Sequence, residues 1–507
     1  MKTIPGNRVA RSALFFVAAF AAFPASAQPE RGATALTIYS TATPGTINVE
    51  NFMHGYGARI PGYAVVREAR SLDFKSGRNT IRFTDVAARI DPTTVAFESL
   101  TDPAGTTVTE QNFQFDLVSR DKLLRKYIDR QVTVNVSHGD NVKQISGTLL
   151  STLGGLAIQA ADGGILLLPS SADIRLPALP GGLITRPTLV WDIRSQKGGT
   201  QRTRVSYQTA GMTWWADYNV TYHEGKTANT CTLDVGAWVT IVNQSGAGYP
   251  DTRLKLVAGN VHRAPAAAAP APQMMERAMV SESQPQGFRE KSFFEYHLYT
   301  LGRTTTLPDN STKQLELFPA AHGVPCEKQL VYYGAPVYWY GGMPITNRDY
   351  GNHSNKKVDV YLKFKNSPDN NMGMPLPAGV IRVSKEDLAD QTLEFVGEDV
   401  IDHTPKNESV MIKLGSAFEV VGERRQTDFK LDTANKRMTE SYEIDLRNHK
   451  AVPVMVQVKE NLYRWNTWQI VAKTHDYVKV DARTIRFPVK VPADGTAKVG
   501  YTVRYTW

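Results

Sequence analysis

The sequence predicts an all-β, multidomain chain: a large antiparallel, sandwich-like carboxyl region preceded by a small β barrel and a small amino-terminal β domain. Three observations carry this reading. Apolar and polar residues alternate with period two through most of the carboxyl half, most clearly over residues 441–507. Turn-forming pairs such as Ser76-Gly77, Asp102-Pro103, Glu224-Gly225 and Asp494-Gly495 recur at short intervals. Helical spacing of apolar residues is confined to one short stretch between Leu117 and Ile128.

At the amino terminus, Lys2, Arg8 and Arg11 precede an apolar run over residues 13–23 and the small-residue site Ala25-Ser26-Ala27. This is the pattern of a secretory signal peptide over residues 1–27. The run is shorter than the roughly 20 residues of a spanning helix, which argues against a membrane anchor. Arg8 and Arg11 are not adjacent, and no cysteine stands at the cleavage site for lipid attachment. The expected location is therefore the periplasm or the extracellular space, with no integral membrane segment after cleavage. The formal +9 includes three basic residues and no acid from this leader, leaving 55 basic against 49 acidic residues, or +6. Without a Lys/Arg block, this excess describes a solvated surface and excludes a nucleic-acid footprint.

Residues 28–116 read as the amino-terminal β domain, with short strands around Tyr63, Leu72, Thr80, Val95 and Asn112 separated by Ser76-Gly77, Asp91-Pro92 and Asp102-Pro103. Leu117, Leu123, Leu124, Tyr127 and Ile128, set among charged residues, predict a connecting helix over 117–128. Val132, Val134 and Val136 then alternate with polar residues, and tight turns at Gly154-Gly155 and Asp162-Gly163-Gly164 follow. Several short strands over 129–180 predict a small barrel, because closure hides the edges of so short a sheet. Pro177, Pro180, Gly181 and Gly182 mark the boundary.

The large β domain occupies 185–507. Its first strands carry Leu189-Trp191-Ile193, Val205-Tyr207-Thr209, Trp214-Ala216-Tyr218-Val220 and Leu233-Val235-Ala237-Val239-Ile241 at alternate positions. Residues 264–290 open on an Ala/Pro run and are poor in strand formers, which predicts a flexible insertion between two strands of one domain. Near the end, Ile485, Phe487, Val489 and Val491 lead through Asp494-Gly495 into Ala497, Val499, Tyr501, Val503, Tyr505 and Trp507, the signature of a terminal hairpin.

Candidate sites are few. Cys231 and Cys326 are an even number in an oxidising compartment, which fits one disulfide or two buried thiols. Tyr338, Trp339 and Tyr340, in an aromatic stretch over 331–342, fit an interaction surface for sugar or protein, but Tyr333, Val337 and Trp339 also fit the inward face of a strand, and core is the favoured reading. Glu398, Asp399, Asp402 and His403 offer carboxylates and an imidazole for a cation or for acid and base roles, but they fit a solvated strand end better. No His-Glu-x-x-His pair, nucleophile elbow or phosphate-cradling loop is present, so no catalytic residue and no cofactor is assigned.

Several words of the sequence together resemble a known family. They are Tyr207-Gln208-Thr209-Ala210-Gly211 followed by Trp214-Trp215-Ala216-Asp217-Tyr218, then Leu256-Val257-Ala258-Gly259 and Met374-Pro375-Leu376-Pro377-Ala378-Gly379. Phe395-Val396-Gly397-Glu398-Asp399, His403-Thr404-Pro405, Leu414-Gly415-Ser416-Ala417-Phe418, residues 442–448 and residues 501–507 follow in order. From about residue 187 to the end, the chain resembles the bacterial domain-of-unknown-function family numbered 4139, and Glu110-Gln111-Asn112-Phe113 resembles its usual amino-terminal companion. The resemblance implies a secreted β-rich protein and transfers no catalytic residue. Many relatives carry a long coiled coil after the first domain, where this chain has only the short helix.

The expected function is that of an exported, non-catalytic envelope protein that binds or scaffolds an envelope protein or glycan. The alternative is a secreted hydrolase or metal-dependent enzyme acting on envelope polymers, with Glu398, Asp399, Asp402 and His403 as its residues. It requires those four side chains to converge in a cleft.

Overall fold

The computed structural model describes residues 31–40, 43–45, 60–114, 116–138, 141–259, 261–262, 287–334, 342–351 and 354–507. The expected signal peptide, the candidates Tyr338, Trp339 and Tyr340, and residues 264–286 of the expected insertion lie outside them. The protein is all-β and multi-sheet, with 65% of the chain in strands. The one α-helix among the described residues, Arg120–Lys126, is shorter than the 117–128 expected. No helix among the described residues is long and apolar enough to cross a membrane.

The amino-terminal strands do not form a sheet of their own. Arg31–Tyr39 lies between Tyr63–Phe74, antiparallel, and Tyr249–Ala258, parallel, with Leu36 beside Leu254. Tyr63–Phe74 pairs in turn with Gly199–Ala210. Likewise Gly77–Thr84 and Thr106–Gln114 flank Thr188–Ser195 in a three-stranded sheet. Strand pairing thus runs across the boundary expected between 28–116 and 185–507. Local alternation specifies which face of a strand is buried, and it leaves the hydrogen-bonding partner open. The seven-stranded and three-stranded sheets share one core through Leu36, Val66, Phe83, Leu189, Trp191 and Val205. Buried Arg70 ties them as well: it bonds Glu68 at 3.0 Å and sits 3.9 Å above the Phe83 ring. The Asp91-Pro92 pair, expected as a turn, lies instead inside the strand Ile90–Ser99, on the edge of the seven-stranded sheet where a proline costs no ladder bond.

The expected barrel over 129–180 is an open sheet. Its order is Asp173–Arg175, Gln131–His138, Asn141–Ser151, Leu156–Ala160 and Ile165–Leu168, and no pairing joins the two outer strands. Closure is unnecessary because the helix covers one face. Ser119 caps that helix by accepting the Lys122 N–H, and Leu124 and the adjoining Tyr127 pack on Val132, Val134, Leu149 and Ile158. The Tyr127 hydroxyl donates to the Ala178 carbonyl at 2.6 Å, fastening the exit of this unit to its entrance.

The largest sheet has thirteen strands and two cores. Ser311–Tyr333 and Ser409–Asp432, of 23 and 24 residues, run through both. Leu315, Leu317 and Val324 belong to the first core, Leu330 and Tyr332 to the second. The terminal hairpin is not formed. Thr484–Val491 pairs with Val454–Asn461, whereas Gly495–Thr506 pairs with Arg437–Asn448 and Trp468–Lys473. The Asp494-Gly495 turn therefore carries the chain between two layers whose apolar faces meet: Phe487, Val489, Val499 and Tyr501 share the second core. A hairpin and an interlayer crossover give the same alternation on either side of a turn. The end of the expected insertion is shorter than residue 290, since the strand Phe288–Phe293 begins there and pairs with Tyr296–Leu307.

Cys231 and Cys326 stand directly opposite one another on antiparallel strands, with Cα atoms 4.9 Å apart, and form a disulfide across 95 residues of sequence. Closing so long a loop restricts the unfolded chain by about 4–5 kcal/mol in the chain-entropy account. Reduction, or Cys231→Ser with Cys326→Ser, is expected to lower the unfolding free energy by a large part of that amount, read as a lower denaturant midpoint. Equal melts with and without reductant would contradict it.

Buried tyrosines give a second test. Burial pushes Tyr332 up to about 12 and holds Tyr218, Tyr299, Tyr501 and Tyr505 well above the ordinary 10. The unfolded chain ionises these groups near pH 10, so stability is intact below that pH and falls as pH rises from 10 towards 12. Tyrosinate absorbance from this set should appear together with the loss of β-sheet circular dichroism. Ionisation near pH 10 with the sheet intact would refute the burial.

Candidate functional site

Along Met212–Glu224, alternate residues serve opposite purposes. Met212, Trp214, Ala216, Tyr218, Val220 and Tyr222 enter the first core. Trp215, Asp217 and Asn219 face outward by the period of the strand. The neighbouring strand Thr230–Asn243 sets Thr240 opposite Trp215 and Trp238 opposite Asp217. Beyond it, Gln314 lies beside Thr240. On the other side, Gly379–Glu386 runs parallel and sets Val380 beside Asp217 and Arg382 beside Asn219, and Leu393–Ile401 sets Glu398 beside Arg382. Five strands thus project one polar, indole-bearing patch. With Thr43, Pro44 and Gly45 over it, they enclose a cleft of about 870 Å³.

The polar groups are joined in one relay. Gln314 Nε2 donates to Thr240 Oγ1 at 3.1 Å, Thr240 Oγ1 donates to Asp217 Oδ2 at 2.6 Å, and Arg382 donates to Asp217 Oδ1 at 3.1 Å. Arg382 Nε also reaches Glu398 Oε2 at 3.3 Å. Asp399 is held separately: its oxygens accept the Val400 N–H at 2.8 Å and the Lys413 N–H at 2.7 Å. Asp217 is buried, whereas Trp238 is 40% exposed. Ile60 packs on Trp215, whose ring is otherwise nearly enclosed. Fixed hydrogen-bonding groups beside a solvent-facing indole suit a ligand that presents both hydroxyls and an apolar ring face.

Of the acidic group singled out in the sequence, the structure brings Glu398 and Asp399 into the cleft and leaves Asp402 and His403 out of it. Asp402 is exposed beyond the strand end. His403 Nδ1 accepts the Ala378 N–H at 3.0 Å, beside the bridge between Leu376 and Thr404, and so fastens two chain segments. The four-residue convergence required for the hydrolase does not occur. No group of three or more His, Cys, Asp or Glu among the described residues is placed to hold a metal ion. Sequence reasoning missed Trp215, Asp217, Asn219, Trp238, Thr240, Gln314 and Arg382. Their signal was present as tryptophans on the polar side of otherwise regular strands. No family model, curated protein or solved structure matches the chain.

A second polar cluster lies in the carboxyl-terminal core. Arg464 pairs with Glu440 at 2.6 Å and Arg424 with Glu460 at 2.8 Å, all four side chains being at most 2% exposed. Arg464 donates to the carbonyls of Ile345, Asn347, Arg348 and Tyr350, and Arg424 to that of Gly351. Tyr442 donates to Glu440 at 2.7 Å and Tyr501 donates to Glu460. Burial would lower the Arg424 guanidinium, but Glu460 and the surrounding tyrosines outweigh it and hold the group well above its ordinary value. Closed to solvent, these charges clamp the loop over residues 345–351 to the sheet.

The two arginines should behave differently on truncation. Arg464→Met leaves Glu440 buried without its ion pair and is expected to cost about 3–5 kcal/mol by denaturant unfolding. Arg382→Met, at a half-exposed side chain, is expected to cost no more than about 1 kcal/mol. Equal costs would contradict the assignment of one cluster to stability and the other to a ligand.

Proposed function

We propose that the chain is an exported, non-catalytic envelope protein, belonging to the domain-of-unknown-function family numbered 4139, and that it binds a glycan in the cleft on the outer face of its largest sheet. The observation that carries this reading is Trp238, 40% exposed beside the fixed polar relay from Gln314 to Glu398. An indole offers a flat apolar surface to a sugar ring, and hydrogen-bonding groups already held in place lose little freedom when a hydroxyl docks. Two of the sequence words that resemble the family, Trp214-Trp215-Ala216-Asp217-Tyr218 and Phe395-Val396-Gly397-Glu398-Asp399, supply Trp215, Asp217, Glu398 and Asp399 to this cleft.

A glycan hydrolase is the second reading, favoured by three carboxylates lining one cleft. Their contacts speak against it. Asp217 and Glu398 share Arg382, and Asp399 is spent on two backbone N–H groups, whereas hydrolysis needs one carboxyl that passes a proton and another that attacks or activates water.

Titration calorimetry of the purified full chain against cell-wall oligosaccharides is expected to detect binding that Trp238→Ala weakens at least about tenfold, with the unfolding midpoint nearly unchanged. Binding that survives the substitution would remove the cleft from the reading. Oligosaccharide turnover that Glu398→Gln abolishes would establish the hydrolase instead.

A further inference from the structure

The balance of charge in the cleft carries the reading one step further. Its lining includes three carboxylates, Asp217, Glu398 and Asp399, against one guanidinium, Arg382. Formally the described lining is therefore −2, although the whole chain is +9. Arg382 is not available to a ligand anion, because Asp217 and Glu398 already occupy it at 3.1 and 3.3 Å. Two indoles neighbour this charge on the same face of the sheet. Asp217 lies directly across the strand pair from Trp238 and two residues along its own strand from Trp215. A carboxylate beside an exposed indole such as Trp238 attracts a cation twice, through its own charge and through the ring's negative face. An anionic sugar entering the same space meets a net excess of two negative charges among the described residues, which is repulsion of the kind that sets specificity.

We infer that, given glycan binding at this site, the ligand carries protonated amines: an amino-sugar polymer with free amino groups, in preference to its N-acetylated or uronic-acid counterparts. The ammonium is placed between Trp238, Asp217 and Glu398, and neighbouring hydroxyls meet Asn219, Thr240 and Gln314. Because the attraction is ionic, binding weakens with salt.

The test is calorimetric titration of the full chain with tetramers of glucosamine, of N-acetylglucosamine and of galacturonic acid, at low and at high salt. The glucosamine tetramer is expected to bind at least about tenfold more tightly than either of the others, and added salt or Glu398→Gln is expected to reduce that advantage severalfold. Equal or tighter binding of the N-acetylated or acidic tetramer would overturn the charge preference while leaving a glycan site. Unaltered preference in Glu398→Gln would remove that carboxylate from it. Binding of none of the three would overturn the preference, and the glycan reading itself falls if the wider set of cell-wall oligosaccharides is also refused.

Discussion

Register is the constraint on which the site depends. Trp214, Ala216 and Tyr218 close the first core while Trp215, Asp217 and Asn219 face the cleft, so core and site are written on the same residues one step apart. A slip by one position would turn Asp217 into the apolar core and Trp214 out of it, which couples loss of binding to loss of packing. The pairing of Thr230–Asn243 with Ser311–Tyr333 fixes Gln314 against Thr240, and the Cys231–Cys326 bond sits at the other end of that same ladder. The relay from Gln314 to Glu398 thus needs no loop to position it. Every member except the overlying 43–45 segment stands on a strand.

The two cores are made one body by continuity of backbone. Ser311–Tyr333 and Ser409–Asp432 leave one core and enter the other as unbroken strands, and each meets a new set of partners on the way. The second core holds two buried ion pairs, whereas against the first core Arg70 and Glu68 form one. Glu440 pairs with Arg464 and Glu460 with Arg424, Tyr442 and Tyr501 donate to the two carboxylates, and the guanidinia donate further to carbonyls of the loop over residues 345–351. Gly334 and Gly351 leave the room this requires, since a methyl group at either would collide with Glu460 or with Tyr463.

What the sequence made legible was local. The alternation Ile485-Phe487-Val489-Val491 and Val499-Tyr501-Val503-Tyr505 correctly gave strands and buried faces, because the pleat enforces them wherever a strand is half buried. It could not give partners. Arg31–Tyr39 finds a parallel neighbour at Tyr249–Ala258, and Thr484–Val491 turns away from Gly495–Thr506, through contacts separated too far in sequence to leave a local mark. Within the cleft, Glu398 and Asp399 stood out as adjacent acids. Asp217 and Arg382, 165 residues apart, become neighbours only through a parallel pairing. His403 was conspicuous for its side chain and serves as a strand-end fastener.

The disulfide encloses residues 264–286, the Ala/Pro-rich part of the chain, between its two sulfurs. A peptide bond severed anywhere in that interval divides the molecule into two polypeptides without parting them. Each half keeps its strands in a sheet shared with the other, and the covalent tie prevents dilution from separating them. Such a cleaved form would migrate as one species until a thiol is added, and in an oxidising compartment it would persist as a two-chain protein.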